Sequence, residues 1–370
     1  MTTLTSTNRR TFVYISSADD ADIGAYELLT SGELVVGARV KAGALVMPMA
    51  INRELKLLYA ASRSKPFTLY TYQIDTQTGA LTLDTSTPLT ESFPFISLDK
   101  TGRYLFGASY GSSLVSVNKL GENGRVEAAP LQTVPVGLNA HSVRIDASNR
   151  FVFVPTLGSD EVFQFRFDAS TGELSANSPN KYSAAKATGP RHFVFSPNNK
   201  FMYLLSELVG TVTTFSLSQE TGLLKQIFVD SLLPQGSTLQ TGVPRGPVGS
   251  PGTGGTEGAP VRNLENDIWA ADIQITPNGA FLIASERTHS TLTVFRVDEG
   301  TGKITQTSSV QTEPQPRGFA IDPSGEFVVA TGELSSTVSV YKLNSEIGTL
   351  SLTGKYPTGK ASSWVEMISI

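Results

Sequence analysis

The chain contains no cysteine. That absence excludes disulfides, thiolate metal sites and a cysteine nucleophile, although it does not by itself identify a compartment. Histidine is almost as scarce: His141, His192 and His289 are the three in 370 residues. Long apolar runs are missing too. Nowhere does the chain approach the roughly 18 to 20 apolar residues that a membrane helix needs, and the N-terminus, MTTLTSTNRRTFVYIS, has no continuous apolar stretch of signal-peptide length. No membrane partner is expected, and a cytoplasmic location is. Nor is there an excess of positive charge: the formal net charge of -4 gives no overall basic field of the kind that draws a protein onto phosphate backbones, which argues against a nucleic-acid partner. With 39% hydrophobic and 17% charged residues, the chain is a soluble globular protein able to bury a large core.

What is present repeats. A turn of the form Thr-Gly-x-Leu recurs as TSGEL, TQTGAL, ENGRV, STGEL, ETGLL, GTGKI and EIGTL, centred on Gly32, Gly79, Gly124, Gly172, Gly222, Gly302 and Gly348. The spacings are 47, 45, 48, 50, 80 and 46 residues, a seven-fold repeat with one long insertion. Each unit has an apolar strand (FVFSP, IQITP, AIDPS), a turn of type PNNK or PSGE, a second strand, a third alternating strand (VTTFSLS, LTVFRVD, VSVYKLN), the glycine turn and a shorter fourth strand. β-branched and aromatic residues between Asn, Gly, Pro and Asp turns are strand and hairpin chemistry, not helical periodicity. A lone four-stranded sheet of this kind cannot cover both faces, so the units must stack, and seven in a ring leave no exposed end. The expectation is an all-β, seven-bladed β-propeller of four-stranded antiparallel blades, a single domain over residues 1–370. The first unit lacks a leading strand of its own and the C-terminus carries a surplus one, SSWVEMISI, so the two termini are expected to share a blade and close the ring.

The same register predicts a functional face. The residues just before each first strand are Met47, Pro94, His141, Arg191, Ala271 and Arg317, and those just after each second strand are Arg63, Tyr110, Leu157, Glu207, Arg287 and Glu333, every pair 16 apart. In an antiparallel hairpin such positions lie side by side at one end, so all twelve should ring the mouth of the central channel. Seven of the twelve are ionisable, against the roughly two that average composition would supply. Structural pairing of Arg191, Arg287 and Arg317 with Glu207 and Glu333 is one reading of this rim. The sign imbalance favours another. Arg63, His141, Arg191, Arg287 and Arg317 outnumber the two glutamates, and guanidinium forks at a partly desolvated mouth suit a small carboxylate or phosphate ligand.

The stretches AHSVRID, GPRHFVFSPN, LLSEL, WAADIQITPNG, SERTHSTLTVF, QPRGFAIDPSGEFVVATGE and VSVYKL make the chain resemble the lactonase family of seven-bladed propellers, which includes 6-phosphogluconolactonases and carboxymuconate-lactonizing enzymes. The resemblance runs over nearly the whole chain and is densest from 139 to 343. It implies a lactone-processing enzyme with no required metal or cofactor, and a catalytic group falling on His141, Arg191, Glu207 and Arg287. All four already stand on the rim.

These residues permit hydrolysis of an anionic sugar lactone, most nearly 6-phosphogluconolactone. Glu207 is then the base that activates water, Arg191 and Arg287 stabilise the oxyanion or hold the substrate's acidic group, and His141 delivers the proton to the leaving ring oxygen. Arg317 and Arg63 read as phosphate or carboxylate contacts, with Glu333 beside them as a further substrate contact. For a carboxymuconate-type cycloisomerisation the arginines would clamp carboxylates instead, and a non-catalytic propeller would use the rim to bind a partner. A WD-type scaffold is disfavoured, because no Gly-His to Trp-Asp pattern recurs and there are only two tryptophans.

Asp272 and the neighbouring Trp269 read either as channel lining or as core. His289, in a loop after a second strand, reads as a substrate contact or a solvated side chain. Alternation along the strand directs His192 away from Arg191, into blade packing. A calcium or zinc site is disfavoured because the arginines would repel a cation. Residues 232–266, LLPQGSTLQTGVPRGPVGSPGTGGTEGAPVRNLEN, read as a long Gly/Pro-rich loop between the fifth and sixth repeats, on the rim side, either a wall of the pocket or a functionless excursion. Monomer and weak homo-oligomer both remain open.

Overall fold

The structure, a computed structural model, describes residues 9–127, 129–246 and 264–370. Its strands form seven four-stranded sheets, and no helix occurs among the described residues. We number the blades from the N-terminus. Blade 1 holds β1 (Thr11–Ser17), β2 (Asp22–Leu28) and β3 (Leu34–Lys41), and its innermost strand is β28 (Ser362–Ser369) from the other end of the chain. β28 pairs with β1 antiparallel from Thr11↔Ser369 to Ser17↔Ser362, so the two ends of the chain close the ring as the repeat register predicts.

Blades 2 to 7 follow in order, each beginning with an inner strand: β4 (Val46–Asn52), β8 (Phe95–Leu98), β12 (Arg144–Ile145), β16 (Pro190–Phe195), β20 (Ala270–Ile275) and β24 (Phe319–Ile321). Their second strands are β5 (Leu57–Ser62), β9 (Tyr104–Ser109), β13 (Phe151–Thr156), β17 (Phe201–Ser206), β21 (Phe281–Glu286) and β25 (Phe327–Ala330). These read LLYAAS, YLFGAS, FVFVPT, FMYLLS, FLIASE and FVVA and are buried along their whole length. Each has a strand on either side and a neighbouring blade against each face, so it needs apolar residues at every position instead of at alternate ones. The outermost strands meet water; β7 (Leu81–Pro88) buries Leu81 and Thr87 and leaves the rest exposed or half-buried. The core therefore lies between blades, as where Phe95 and Phe106 of blade 3 pack with Val143, Val152 and Phe165 around blade 4.

The repeated glycine is explained by one interblade contact. All seven have positive φ, between 70° and 85°. A side chain at Gly79 would stand 2.2 Å from Phe12 of the preceding blade, and one at Gly222 would stand 2.1 Å from Phe151. Turn geometry and close aromatic approach thus demand glycine together.

On the axis, inner-strand side chains from non-adjacent blades meet. The ring of Phe95 (blade 3) is 5.0 Å from that of His192 (blade 5) and 5.3 Å from that of Trp364 (blade 1). Beyond these rings, towards the inner hairpin turns, lies a cavity of about 580 Å³ lined in part by Arg53, Lys100, Arg144, Trp364 and Glu366. The rim residues line the opposite mouth.

Candidate active site at the channel mouth

Two details of strand register decide where the rim side chains point. Met47, Arg191 and Ala271 lie inside β4, β16 and β20, not ahead of them, and each of these strands is irregular there. In β16 the ladder runs from Pro190↔Ser206 to Phe193↔Leu204, so Arg191 and His192 together oppose Leu205. Such a bulge re-aims side chains that simple alternation would separate. Arg191 turns to Glu207, and His192, expected in blade packing, faces the channel axis.

Glu207 is the hub. Its Oε2 lies 2.6 Å from Nε of Arg191 and accepts a hydrogen bond of 3.0 Å from Nη2 of Arg287. The Arg191 contact is an ion pair and not an aligned hydrogen bond, because Nε of Arg191 has no hydrogen-bond partner. Its Nη1 donates to the carbonyl of Ala271 instead. Both of these contacts are made to Oε2. The backbone holds this geometry across the blade boundary: the carbonyl of Glu207 accepts from the amide of Ala270 at 3.0 Å. A second carboxylate extends the network. Glu333 Oε1 accepts from Nη1 of Arg317 at 3.2 Å, and its Oε2 is 3.8 Å from Nη1 of Arg287. Burial works to raise the Glu333 carboxyl, but Arg317, Arg287 and Arg191 outweigh it and hold it below its ordinary value.

The self-pairing reading is thus right for part of the rim. Arg63 makes no ion pair among the described residues, although the charge of Glu333 reaches it; its hydrogen-bond partners are Ser92 Oγ at 3.4 Å and Met47 Sδ at 3.5 Å. Arg63 is only 8% exposed, and burial, with Arg317 next, pushes its pKa down. A buried guanidinium without a carboxylate is costly unless an anion joins it.

His141 is buried between the rings of Tyr110 (5.7 Å) and His192 (5.1 Å), and its Nδ1 has no hydrogen-bond partner. Burial, followed by the charge of Arg191 and contributions from His192, Arg317 and Arg63, pushes its pKa well below 6.5. The imidazole is therefore neutral at pH 7, which removes the ready imidazolium donor expected from the residue type.

Asp272 and His289 are not part of the ion network. Asp272 lies deeper, with Oδ1 2.9 Å from Nδ1 of His192, and its carboxyl is raised by burial against the pull of Arg144 and Arg191. His289 sits half-buried in the turn after β21, where its amide donates to Glu286 Oε2. Trp269 is neither plain lining nor plain core: the guanidinium carbons of Arg287 and Arg245 stand 3.5 and 3.4 Å from its ring centre. Two groups that close can fit only on opposite faces of the indole.

Two contributors escaped the register. Glu286, fully buried, accepts from the amides of Trp269 (2.8 Å), Thr288 (3.1 Å) and His289 (2.6 Å) and so shapes the turn that carries Arg287. A signal for it exists: the equivalent position is Ser62, Ser109, Thr156 and Ser206 in blades 2 to 5, and a carboxylate breaks that series. The other is Arg245, from the insertion, of which residues 247–263 lie outside the described residues.

The lactonase seven-bladed β-propeller family model matches residues 12–367. The chain belongs to this lactonase family. A Serratia proteamaculans 6-phosphogluconolactonase is 35% identical over 96% of this chain and 98% of its own length. One from Pectobacterium carotovorum is 33% identical over 97% of this chain and 98% of its own length. Among solved structures, a periplasmic gluconolactonase of Pseudomonas aeruginosa superposes with a TM-score of 0.82 at 22% identity, over 97% of this lactonase and 99% of that chain, a likeness of fold. This lactonase is accordingly a lactone hydrolase. Among its described residues no helix is long and apolar enough to cross a membrane.

Proposed function

We propose that the lactone this enzyme opens is an anionic sugar lactone, most nearly 6-phosphogluconolactone, hydrolysed at the rim around Glu207. The observation that carries this reading is the charge balance of the mouth. Among the described residues Arg191, Arg287 and Arg317 form ion pairs with Glu207 and Glu333 while Arg63 forms none, and His141 beside them is neutral, so a bound anion supplies the partner that the fold leaves missing. The relatives named for 6-phosphogluconolactone support the same choice.

In this mechanism a water held at Oε1 of Glu207 attacks the lactone carbonyl carbon and gives its proton to the carboxylate. The carbonyl oxygen becomes an oxyanion, for which Arg191 and Arg287 are preorganised donors that already converge on Glu207. Collapse breaks the bond to the ring oxygen, which takes the proton and leaves as a hydroxyl, while the carboxylic acid product ionises. A neutral His141 accepts a hydrogen bond from the water or from a sugar hydroxyl and fixes its orientation. The proton for the ring oxygen then returns from Glu207. Arg317 and Arg63 hold the ligand's second anionic group.

The test is turnover of 6-phosphogluconolactone, glucono-1,5-lactone and carboxymuconate by the wild type and by Glu207→Gln. The phosphorylated lactone is expected to be the best substrate, and Glu207→Gln to lower kcat by about 10² to 10⁴, the range of one positioned base. Equal rates in the two proteins would remove Glu207 from the chemistry. Turnover of carboxymuconate alone would make the enzyme a cycloisomerase, and turnover of none would leave a binding propeller.

A further inference from the structure

The insertion leaves blade 5 after β19 (Leu224–Ser231) and returns to blade 6 at β20. Its described stem is pinned at three points. Gln240 donates its amide to the carbonyl of Asn266, and its own carbonyl accepts from the amide of Ile268, both at 2.9 Å. Gly242 then donates to the carbonyl of Leu208, the residue after Glu207, at 2.7 Å. A side chain at Gly242 would stand 2.3 Å from the carbonyl oxygen of Ile268, so only glycine allows the chain to lie this close. Three residues further on, the carbonyl of Arg245 accepts a hydrogen bond of 2.8 Å from the hydroxyl of Tyr110, a rim residue of blade 3. The stem therefore crosses the mouth from blade 5 to blade 3.

This crossing fixes the backbone of Arg245 over the site, and its side chain is placed as firmly. The guanidinium lies on one face of Trp269, with Arg287 on the other. Stacking on an indole orients the planar fork but satisfies none of its N–H donors. No ion pair to Arg245 occurs among the described residues, although Glu207, Asp267, Glu333 and Glu286 lie within electrostatic reach of it. With Arg245 counted, five guanidinium groups stand at this mouth, and two of them, Arg63 and Arg245, have no ion pair among the described residues. Two like charges held on the two faces of one ring repel each other, and an anion that reaches both relieves that repulsion.

We propose that Arg245 is a specificity residue of this enzyme: it joins Arg63 and Arg317 in binding the phosphate dianion of a phosphorylated sugar lactone, so preference for phosphorylated over neutral lactones depends on the insertion stem as well as on the propeller. The proposal rests on the lactonase reading above. Arg245 reaches the group that does not react, so it affects binding more than chemistry.

The experiment measures kcat and KM for 6-phosphogluconolactone and glucono-1,5-lactone with the wild type, Arg245→Ala and Arg245→Lys, alongside thermal unfolding of each. In Arg245→Ala, KM for the phosphorylated lactone is expected to rise about 10- to 100-fold, the worth of a charge-assisted hydrogen-bonded pair, with kcat within about threefold. KM for the neutral lactone should rise less than about threefold, and Arg245→Lys should restore part of the preference. Calorimetric binding of inorganic phosphate should weaken in parallel in Arg245→Ala. An unchanged KM for the phosphorylated lactone, or an equal rise for both lactones, overturns the assignment. A wild type inactive on both lactones overturns the lactone reading instead, and phosphate binding then decides Arg245 by itself.

Discussion

Nδ1 of His192 lies 2.9 Å from Oδ1 of Asp272, across the boundary between blades 5 and 6, and Nε2 of the same ring has no hydrogen-bond partner. A buried imidazole anchored on one side and open on the other sits against His141, whose Nδ1 is equally unpartnered. Burial, and after it Arg191 and Arg144, drive the His192 pKa well below 6.5. The two rings form a neutral pair surrounded by cations.

Stability should consequently fall as pH drops below 6.5. The folded chain keeps both imidazoles unprotonated, while the unfolded chain takes up a proton on each near its ordinary value of 6.5. Each group then contributes a slope approaching about 1.4 kcal/mol per pH unit, the two together about 2.7. Asp272, raised by burial, opposes this as pH falls through its elevated folded value, and the lowered Glu333 adds to the loss as pH falls through the ordinary carboxyl range. Urea unfolding at pH 7.5, 6.5 and 5.5 reads the slope directly, and His192→Asn should remove about half of it. Constant stability over that range would mean that the imidazoles are charged in the fold.

Closure of the ring by β28 carries a second expectation. Val365, Met367 and Ile368 are buried, and losing each removes about 1.5–3 kcal/mol of apolar burial, while the inner edge of β1 loses its partner. Set against a typical domain stability of 5–15 kcal/mol, a chain ending at residue 361 should lose its cooperative unfolding transition. Adding a synthetic 362–370 peptide should restore part of it. A truncated chain that melts like the full one would show that the termini do not bear the load of closure.

Salt supplies the third. An excess of guanidinium at a narrow mouth raises the local concentration of an anionic substrate, an effect worth about 10- to 10³-fold in association rate at low ionic strength. Raising salt from 10 mM to 500 mM should therefore lower kcat/KM for the phosphorylated lactone by about tenfold or more, with kcat little changed and the neutral lactone barely affected. Equal salt response by both lactones would show that the field plays no part in capture.

The parts of this molecule that repeat were legible without coordinates, and the parts that break the repeat were not. Seven glycines, near-constant in spacing but for one insertion, announce seven turns, because the positive-φ turn recurs in each blade and an aromatic of the neighbouring blade packs against it in six of the seven. The rim positions follow from the same count, so Arg191, Glu207, Arg287, Arg317 and Glu333 could be gathered from five separate segments. His192 could not be placed, because an irregularity of one residue in β16 reverses which way a side chain faces. Arg245 was hidden for another reason: it stands in a Gly/Pro-rich run with no period, and its position depends on Tyr110, 135 residues away.

The meeting of Phe95, His192 and Trp364 on the axis turns the arginine-lined mouth into a cul-de-sac. A substrate cannot thread the ring, so the opened acid must back out through the doorway its precursor used, and each occupies the vestibule at the other's expense. Product should block turnover competitively for reasons of traffic alone. The chamber beyond the aromatic stopper, lined by Arg53, Lys100 and Arg144, is separated from the arginine-lined mouth by these three rings.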